Sequence, residues 1–239
     1  FHADWSAYAP PAPTFVGRRT LANVDLAPIA ECIDWGPFFQ AWELSGPYPA
    51  ILDDPVVCEA ARSVLAEGRA MLKRVIEGRW LTASGTVGFW PANAVGDDIV
   101  LWTDESRATP ALTWRNLRQQ AERPPGKPHQ CLADFVAPVG TPDYVGAFAV
   151  TAGIGIERKL AEFTQAHDDY SGLMLKTIAD RLAEAFAEWL HRRVRVELWG
   201  YAPGEALPND ALIREAYRGI RPAPGYPACP DHAVKAPLF

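Results

Sequence analysis

No apolar run in the 239 residues approaches the roughly 20 that a bilayer-crossing helix needs. A membrane span of that kind is therefore excluded. Phe1-His2-Ala3-Asp4-Trp5-Ser6 has neither a basic n-region nor an apolar h-region, so it is no signal peptide. It also lacks an initiator methionine, and the chain is expected to be a fragment of something longer. Basic residues are in deficit: the formal net charge is −6, which excludes the electrostatic footprint of a nucleic-acid binder. Cysteine is sparse and scattered. Cys32, Cys58, Cys131 and Cys229 form no Cys-x-x-Cys pair, so neither a zinc site nor a disulfide framework is indicated. A reducing, cytoplasmic setting is expected. No nucleophile–base pair and no metal-ligand set emerges, which makes an independent enzyme the least favoured reading.

What is present is ordinary globular composition, 49% hydrophobic and 22% charged, with enough length to bury a core. Nine tryptophans are many, and some are expected to line a groove or interface. The chain is organised around Arg221-Pro222-Ala223-Pro224-Gly225-Tyr226-Pro227-Ala228-Cys229-Pro230-Asp231-His232. Its four prolines fix φ and remove four backbone donors, so it is neither helix interior nor central strand. Gly225 is free to make a bend the others cannot. The expectation is a stiff extended ribbon with one bend, presenting Arg221 and Tyr226 to a small polar ligand. A proline-rich surface loop or linker is the alternative.

In chain order, residues 1–20 read as an incoming linker held extended by prolines, with one domain over residues 21–239. Asp34 lies among Ile33, Trp35, Phe38 and Phe39, either as a helix cap ahead of Gly36-Pro37 or as a charge kept for a ligand. Asp54-Pro55 opens an amphipathic helix that stops at Gly78. Strands are predicted at Thr86–Trp90 and Asp98–Thr103, with Pro91 to Asp97 as a turn-rich link. A short polar helix is predicted over Thr113–Glu122, and two further strands at Cys131–Val136 and Tyr144–Thr151. Strands so close in sequence favour antiparallel hairpins, hence an α+β fold. Gly153-Ile154-Gly155 lacks the third glycine of a phosphate loop and is followed by Glu157, so that reading is rejected. From Glu157 to Val196 the pattern is helical, as two helices or one kinked at Gly172. Asp180, Glu184 and Glu188 recur every four residues, as paired carboxylates for a ligand or as a solvated face pairing with Arg181, Arg192 and Arg193. His167-Asp168-Asp169 points its side chains apart and carries no metal expectation. Asn209/Asp210 caps a last helix, Ala211–Tyr217, ending at Gly219.

Arg221-x-x-x-Gly225-Tyr226 followed by Pro227-Ala228-Cys229-Pro230-x-His232 resembles the signature of the S-adenosylmethionine-binding activation domain of cobalamin-dependent methionine synthase. The resemblance runs almost end to end. It includes Ile33-Asp34-Trp35, Pro91-Ala92-Asn93, Leu117-Arg118-Gln119-Gln120, Cys131-Leu132-Ala133-Asp134-Phe135 and Gly146-Ala147-Phe148-Ala149-Val150-Thr151. It continues through His167-Asp168-Asp169-Tyr170, Ala179-Asp180-Arg181-Leu182-Ala183-Glu184 and Trp199-Gly200-Tyr201-Ala202-Pro203.

The resemblance implies a single α+β domain, a twisted antiparallel sheet flanked by helices. It implies that Arg221 takes the carboxylate of S-adenosylmethionine, that Asp34 meets its α-amino group, that Ala223 and Gly225 supply backbone, and that Tyr226 stands over the ligand. Asp180, Glu184 and Glu215 are secondary candidates. The implied activity is reactivation of the parent methyltransferase: an electron from a flavodoxin-type donor and a methyl group from S-adenosylmethionine convert inactive cob(II)alamin, held on a partner domain, back to its methylated form. The zinc of the parent enzyme and the cobalamin would lie outside this chain. Family members continue with a further aromatic stretch, so the C-terminal part is expected to be truncated. A ligand-free docking module for a corrinoid or flavodoxin-type protein is the alternative that this departure favours.

Overall fold

The computed structural model of the chain describes residues 3–238. After an irregular N-terminal segment come β1 (Gly17–Val24), the short helices α1 (Leu26–Ala30) and α2 (Gly36–Gln40), and the long α3 (Cys58–Glu77). The strands β2 (Thr82–Val95), β3 (Asp98–Trp102) and β4 (Pro110–Trp114) follow, then β5 (Asp143–Ile154). Helices α4 (Ile156–Gln165), α5 (Asp169–Arg193), α6 (Asn209–Ile213) and α7 (Lys235–Leu238) complete the chain.

All strand pairings are antiparallel, and β2 is their spine. One edge of β2 pairs with β1 near its start and with β3 near its end, while the other edge pairs with β5 almost throughout. Pro91 to Val95 was expected to be a turn, yet β2 continues through it. The reason lies in the neighbours: along β2 the pairing with β1 stops at Phe89 and that with β3 starts at Ala92, so Pro91 falls in the gap between them. The turn itself shrinks to Gly96-Asp97, where Gly96 has φ 63°.

Two apolar cores flank this spine. The larger packs α1, α2, α3 and α5 against the sheet through Phe38, Phe39, Phe89, Phe186 and Leu182. The smaller gathers Ile99, Leu101, Trp114, Cys131, Val145, Cys229 and Val234 around the far end of β2. The proline-rich segment is therefore pinned at its C-terminal end into the second core, through Cys229 and Val234.

Several local expectations are corrected. The polar helix expected at Thr113–Glu122 is absent; β4 occupies its start and pairs with β3, because Trp114 gains a place in the second core. Beyond it Arg118 is drawn to Asp97 and Asp134, and Gln119 N–H to the Gln130 carbonyl. The strand expected at Cys131–Val136 is a turn of 3-10 helix over Leu132–Phe135. Asp134 closes that turn locally by accepting from Cys131 N–H at 2.9 Å. The helical stretch breaks at residues 166–168, where His167 has φ 54° and Asp168 accepts from Ser171 N–H, while Gly172 lies inside α5. Regular helix in α3 begins at Cys58, after Asp54 has accepted from Val56 and Val57 N–H; Gly78 is its C-cap, as expected. The last predicted helix spans only Asn209–Ile213, with Pro208 and no side chain at its N-cap. Residues 17–20, read as linker, belong to β1. The segment before them is tied down, since Trp199 Nε1–H donates to the Pro11 carbonyl and Thr14 N–H to that of Leu198.

Candidate functional site

The site is built on the last turns of α5. Asp180, Glu184 and Glu188 sit at intervals of four, but four residues advance an α-helix by about 400°, so each step rotates the stripe by about 40°. The three carboxylates therefore do not share an environment. Asp180 is exposed and paired with Arg181, Glu184 is exposed, and Glu188 has turned inward to 8% exposure.

Glu188 receives the ribbon. Arg221 Nη2 donates to Glu188 Oε2 at 2.8 Å, with 27% of the arginine side chain left exposed. Glu188 Oε1 and Arg221 Nε are buried and have no hydrogen-bond partner among the described residues. Glu188 Oε1 also lies 3.8 Å from Arg195 Nη1. Arg195 is fully buried and held by Glu205 in a fork, Nε to Oε2 at 2.8 Å and Nη2 to Oε1 at 2.7 Å. Its Nη1 donates to His191 Nδ1 at 2.7 Å, which fixes the imidazole as the neutral tautomer with its proton on Nε2. Tyr217 closes the cluster, its ring 4.0 Å from the Arg195 guanidinium and edge-on to His191. A π-helical turn, Val194–Leu198, follows α5 and brings Trp199 N–H to the Val194 carbonyl.

The electrostatics follow from this burial. His191 is pushed down to about 2, first by burial and then by Arg195 and Arg221. Burial raises the Glu188 carboxyl above its usual range and outweighs the opposing pull of Arg221 and Arg195. Burial also pushes Tyr201 up to about 12 and raises Tyr217, on which Glu188 and Glu215 act as well.

The ribbon itself is a tight loop, not the stiff extended rod that its prolines suggested. Tyr226 N–H bonds to the Ala223 carbonyl at 3.1 Å, Gly225 N–H to that of Cys229 at 2.8 Å, and Cys229 N–H to that of Tyr226 at 2.9 Å. The bend falls where it was expected, at Gly225, with φ 104°. A Cβ there would stand 2.6 Å from His232 Nε2, so the glycine is also needed for close approach. Tyr226 is 62% exposed, free to cover something lying on the loop.

Asp34 is not the N-cap residue of α2, a position that falls to Trp35, but it makes a local backbone bond at the start of that helix. Its Oδ1 accepts from Gly36 N–H at 2.8 Å, ahead of α2. The loop that carries it is held to α6 by Asn209 Nδ2, which donates to the Ile33 carbonyl at 3.1 Å. Cys32, two residues earlier, feels Arg192, Glu188 and Arg195, which puts this loop beside the charged cluster. Glu215 sits left-handed at φ 54° and acts electrostatically on Glu188. The structure thus draws together Arg221, Glu188 and Glu215 and sets the Asp34 loop alongside. It leaves Asp180 and Glu184 on the exposed face of α5. Arg195, His191, Glu205 and Tyr217 were not foreseen. Their one sequence signal was Arg195 in the alternating Val194-Arg195-Val196-Glu197-Leu198 run, easily taken for a solvated charge.

Two comparisons bear on this arrangement. The family model described as "Vitamin B12 dependent methionine synthase, activation domain" matches residues 25–239. A crystal structure of the MetH reactivation domain bound to AdoHcy superposes with a TM-score of 0.92 at 48% sequence identity, covering 100% of this chain and 73% of that one.

Proposed function

Because the chain belongs to the family of the vitamin B12-dependent methionine synthase activation domain, we propose that it binds S-adenosylmethionine along Asp34 and the Arg221–Tyr226 loop. The family makes it a domain of a cobalamin-dependent methyltransferase, with cobalamin carried by another domain of that enzyme. The similar reactivation domain is bound to AdoHcy, which shares its carboxylate, amino group and nucleoside with S-adenosylmethionine.

The residues fit such a ligand. Arg221 is the observation that carries the reading: a guanidinium anchored on one side, part-exposed on the other, on a loop fixed at both ends. Its planar fork matches an amino-acid carboxylate. Asp34 Oδ2 is left over from the bond to Gly36 N–H and suits the α-ammonium group, with Glu215 as a further acid near the cluster. The loop's own bonds take the Ala223 carbonyl and the Gly225 N–H, so the backbone offered there is the Ala223 N–H and the Gly225 carbonyl, with Tyr226 exposed beside them. S-adenosylmethionine supplies an already activated sulfonium methyl group. The chain therefore needs only to bind and orient it, and no general base is required. In this reading the isolated chain binds without turnover, in the cytoplasm. The domain meets the cobalamin domain, and a flavodoxin-type protein brings the electron. Zinc and cobalamin sit elsewhere in the parent enzyme.

Calorimetric titration of the chain with S-adenosylmethionine tests this. One-to-one binding is expected, weakened about a hundredfold in Arg221→Ala, the cost of removing one side of a part-buried charge pair. Circular dichroism checks that the variant stays folded. Absence of binding by the folded wild-type chain refutes the proposal and leaves a docking module.

A further inference from the structure

We propose that Glu188, though it meets no ligand atom itself, is the positioning residue for the carboxylate pole of the site, fixing the plane of the Arg221 guanidinium from behind. The inference deepens the S-adenosylmethionine reading and depends on it.

Arg221 belongs to an irregular loop, and a free arginine there would sample many rotamers that binding must then freeze. One bond prevents this. Glu188 Oε2 holds Nη2 at 2.8 Å, and Glu188 projects from α5, a 25-residue helix packed in the larger core. The reference frame of the guanidinium is thus the scaffold rather than the loop. Glu188 is itself braced. Its free oxygen faces Arg195 at 3.8 Å, and Arg195 is immobilised by the Glu205 fork and by His191.

Four charges therefore alternate along a line: Arg221, Glu188, Arg195, Glu205. Glu188, Arg195 and Glu205 behind the guanidinium sum to one negative charge, which Arg221 balances, so the row as a whole is neutral and each charge has an opposite neighbour. An arginine offers five N–H donors. Glu188 takes one, Nε is buried, the Tyr217 hydroxyl lies within hydrogen-bonding reach of the same guanidinium, and the donors still left on Nη1 and Nη2 form the edge for an incoming carboxylate. The consequence is selectivity: a ligand with a carboxylate finds a donor pair already aimed, and one without it gains nothing from Glu188.

The test uses the whole chain, two variants and two ligands. Glu188→Met keeps the volume but removes the acceptor. Glu188→Gln keeps an amide oxygen able to accept from Nη2. The ligands are S-adenosylmethionine and its decarboxylated analogue, titrated calorimetrically. The methionine variant is expected to weaken S-adenosylmethionine about tenfold, near the lower end for loss of a charge-assisted hydrogen bond, while the glutamine variant stays within about threefold. Both variants should bind the decarboxylated analogue as the wild type does.

Tighter binding of S-adenosylmethionine by either variant overturns the inference, because Glu188 would then be a rival for Arg221 and not its guide. Equal losses on the two ligands overturn it too, since they would signal general structural damage. If Glu188→Met does not fold, Glu188→Gln decides alone: a tenfold loss or any tightening refutes positioning. A wild-type chain that binds neither ligand overturns the S-adenosylmethionine reading itself. A folded Glu188→Met that binds S-adenosylmethionine as the wild type does overturns only the role of Glu188.

Discussion

The buried arginine at the end of α5 gives the sharpest stability test. Arg195 has no exposed surface, and its charge is met chiefly by Glu205 through three hydrogen bonds of 2.7 to 3.1 Å. The substitution Glu205→Ala removes that carboxylate and leaves the guanidinium facing neutral His191 and, at 3.8 Å, Glu188, which Arg221 already occupies. Stripping one partner from a buried pair costs about 3 to 5 kcal/mol, and the residual pull of Glu188 puts the expectation at the lower end, about 3 kcal/mol. For a chain of this size that corresponds to a fall in Tm of about 6 to 12 °C. The assay is urea and thermal unfolding followed by circular dichroism. The double variant Arg195→Met/Glu205→Leu should be clearly more stable than Glu205→Ala alone, because two apolar side chains of similar volume leave no charge without a partner. A Glu205→Ala loss below about 1 kcal/mol, within the range of an exposed pair, would refute the claim that this charge is desolvated.

Two further outcomes follow from the same residues. His191 stays neutral in the folded state down to about 2, whereas the unfolded chain protonates it near 6.5. The unfolded state therefore holds the extra proton between those values, and stability should fall as pH drops below about 6.5, by about 1.4 kcal/mol per pH unit from this group. Urea midpoints at several pH values should fall more steeply with acid in the wild type than in His191→Gln; identical slopes would contradict the burial argument. Gly225→Ala should destabilise the loop by about 1 to 3 kcal/mol, because φ 104° strains any side chain. Adding His232→Ala relieves only the 2.6 Å approach to an exposed ring, so it should recover little of the loss. Full rescue in thermal unfolding would mean that crowding, not backbone conformation, makes glycine necessary.

Much of the architecture was written locally. Alternating apolar residues and close strand spacing gave antiparallel pairing, while Gly78 marked the end of α3, and the glycine within the proline-rich run gave its bend. Motif identity in order along the chain pointed to the family, and with it to Asp34 and Arg221. Each of these is a short-range property, set by a residue's own conformational preference or by neighbours a few positions away.

What tertiary structure decided is of another kind. Pro91 sits inside β2 only because two partner strands leave a gap there, and Trp114 ends a strand because a second core has room for it. The 40° drift along α5 makes Glu188 a buried anchor while Asp180 and Glu184 stay in solvent, and nothing in three acids spaced by four says which will turn inward. Arg195 looked like any helix cation until Glu205, ten residues on, folded back over it. A charge becomes functional or structural according to what desolvates it and what pairs with it, and both are settled by parts of the chain that meet only on folding.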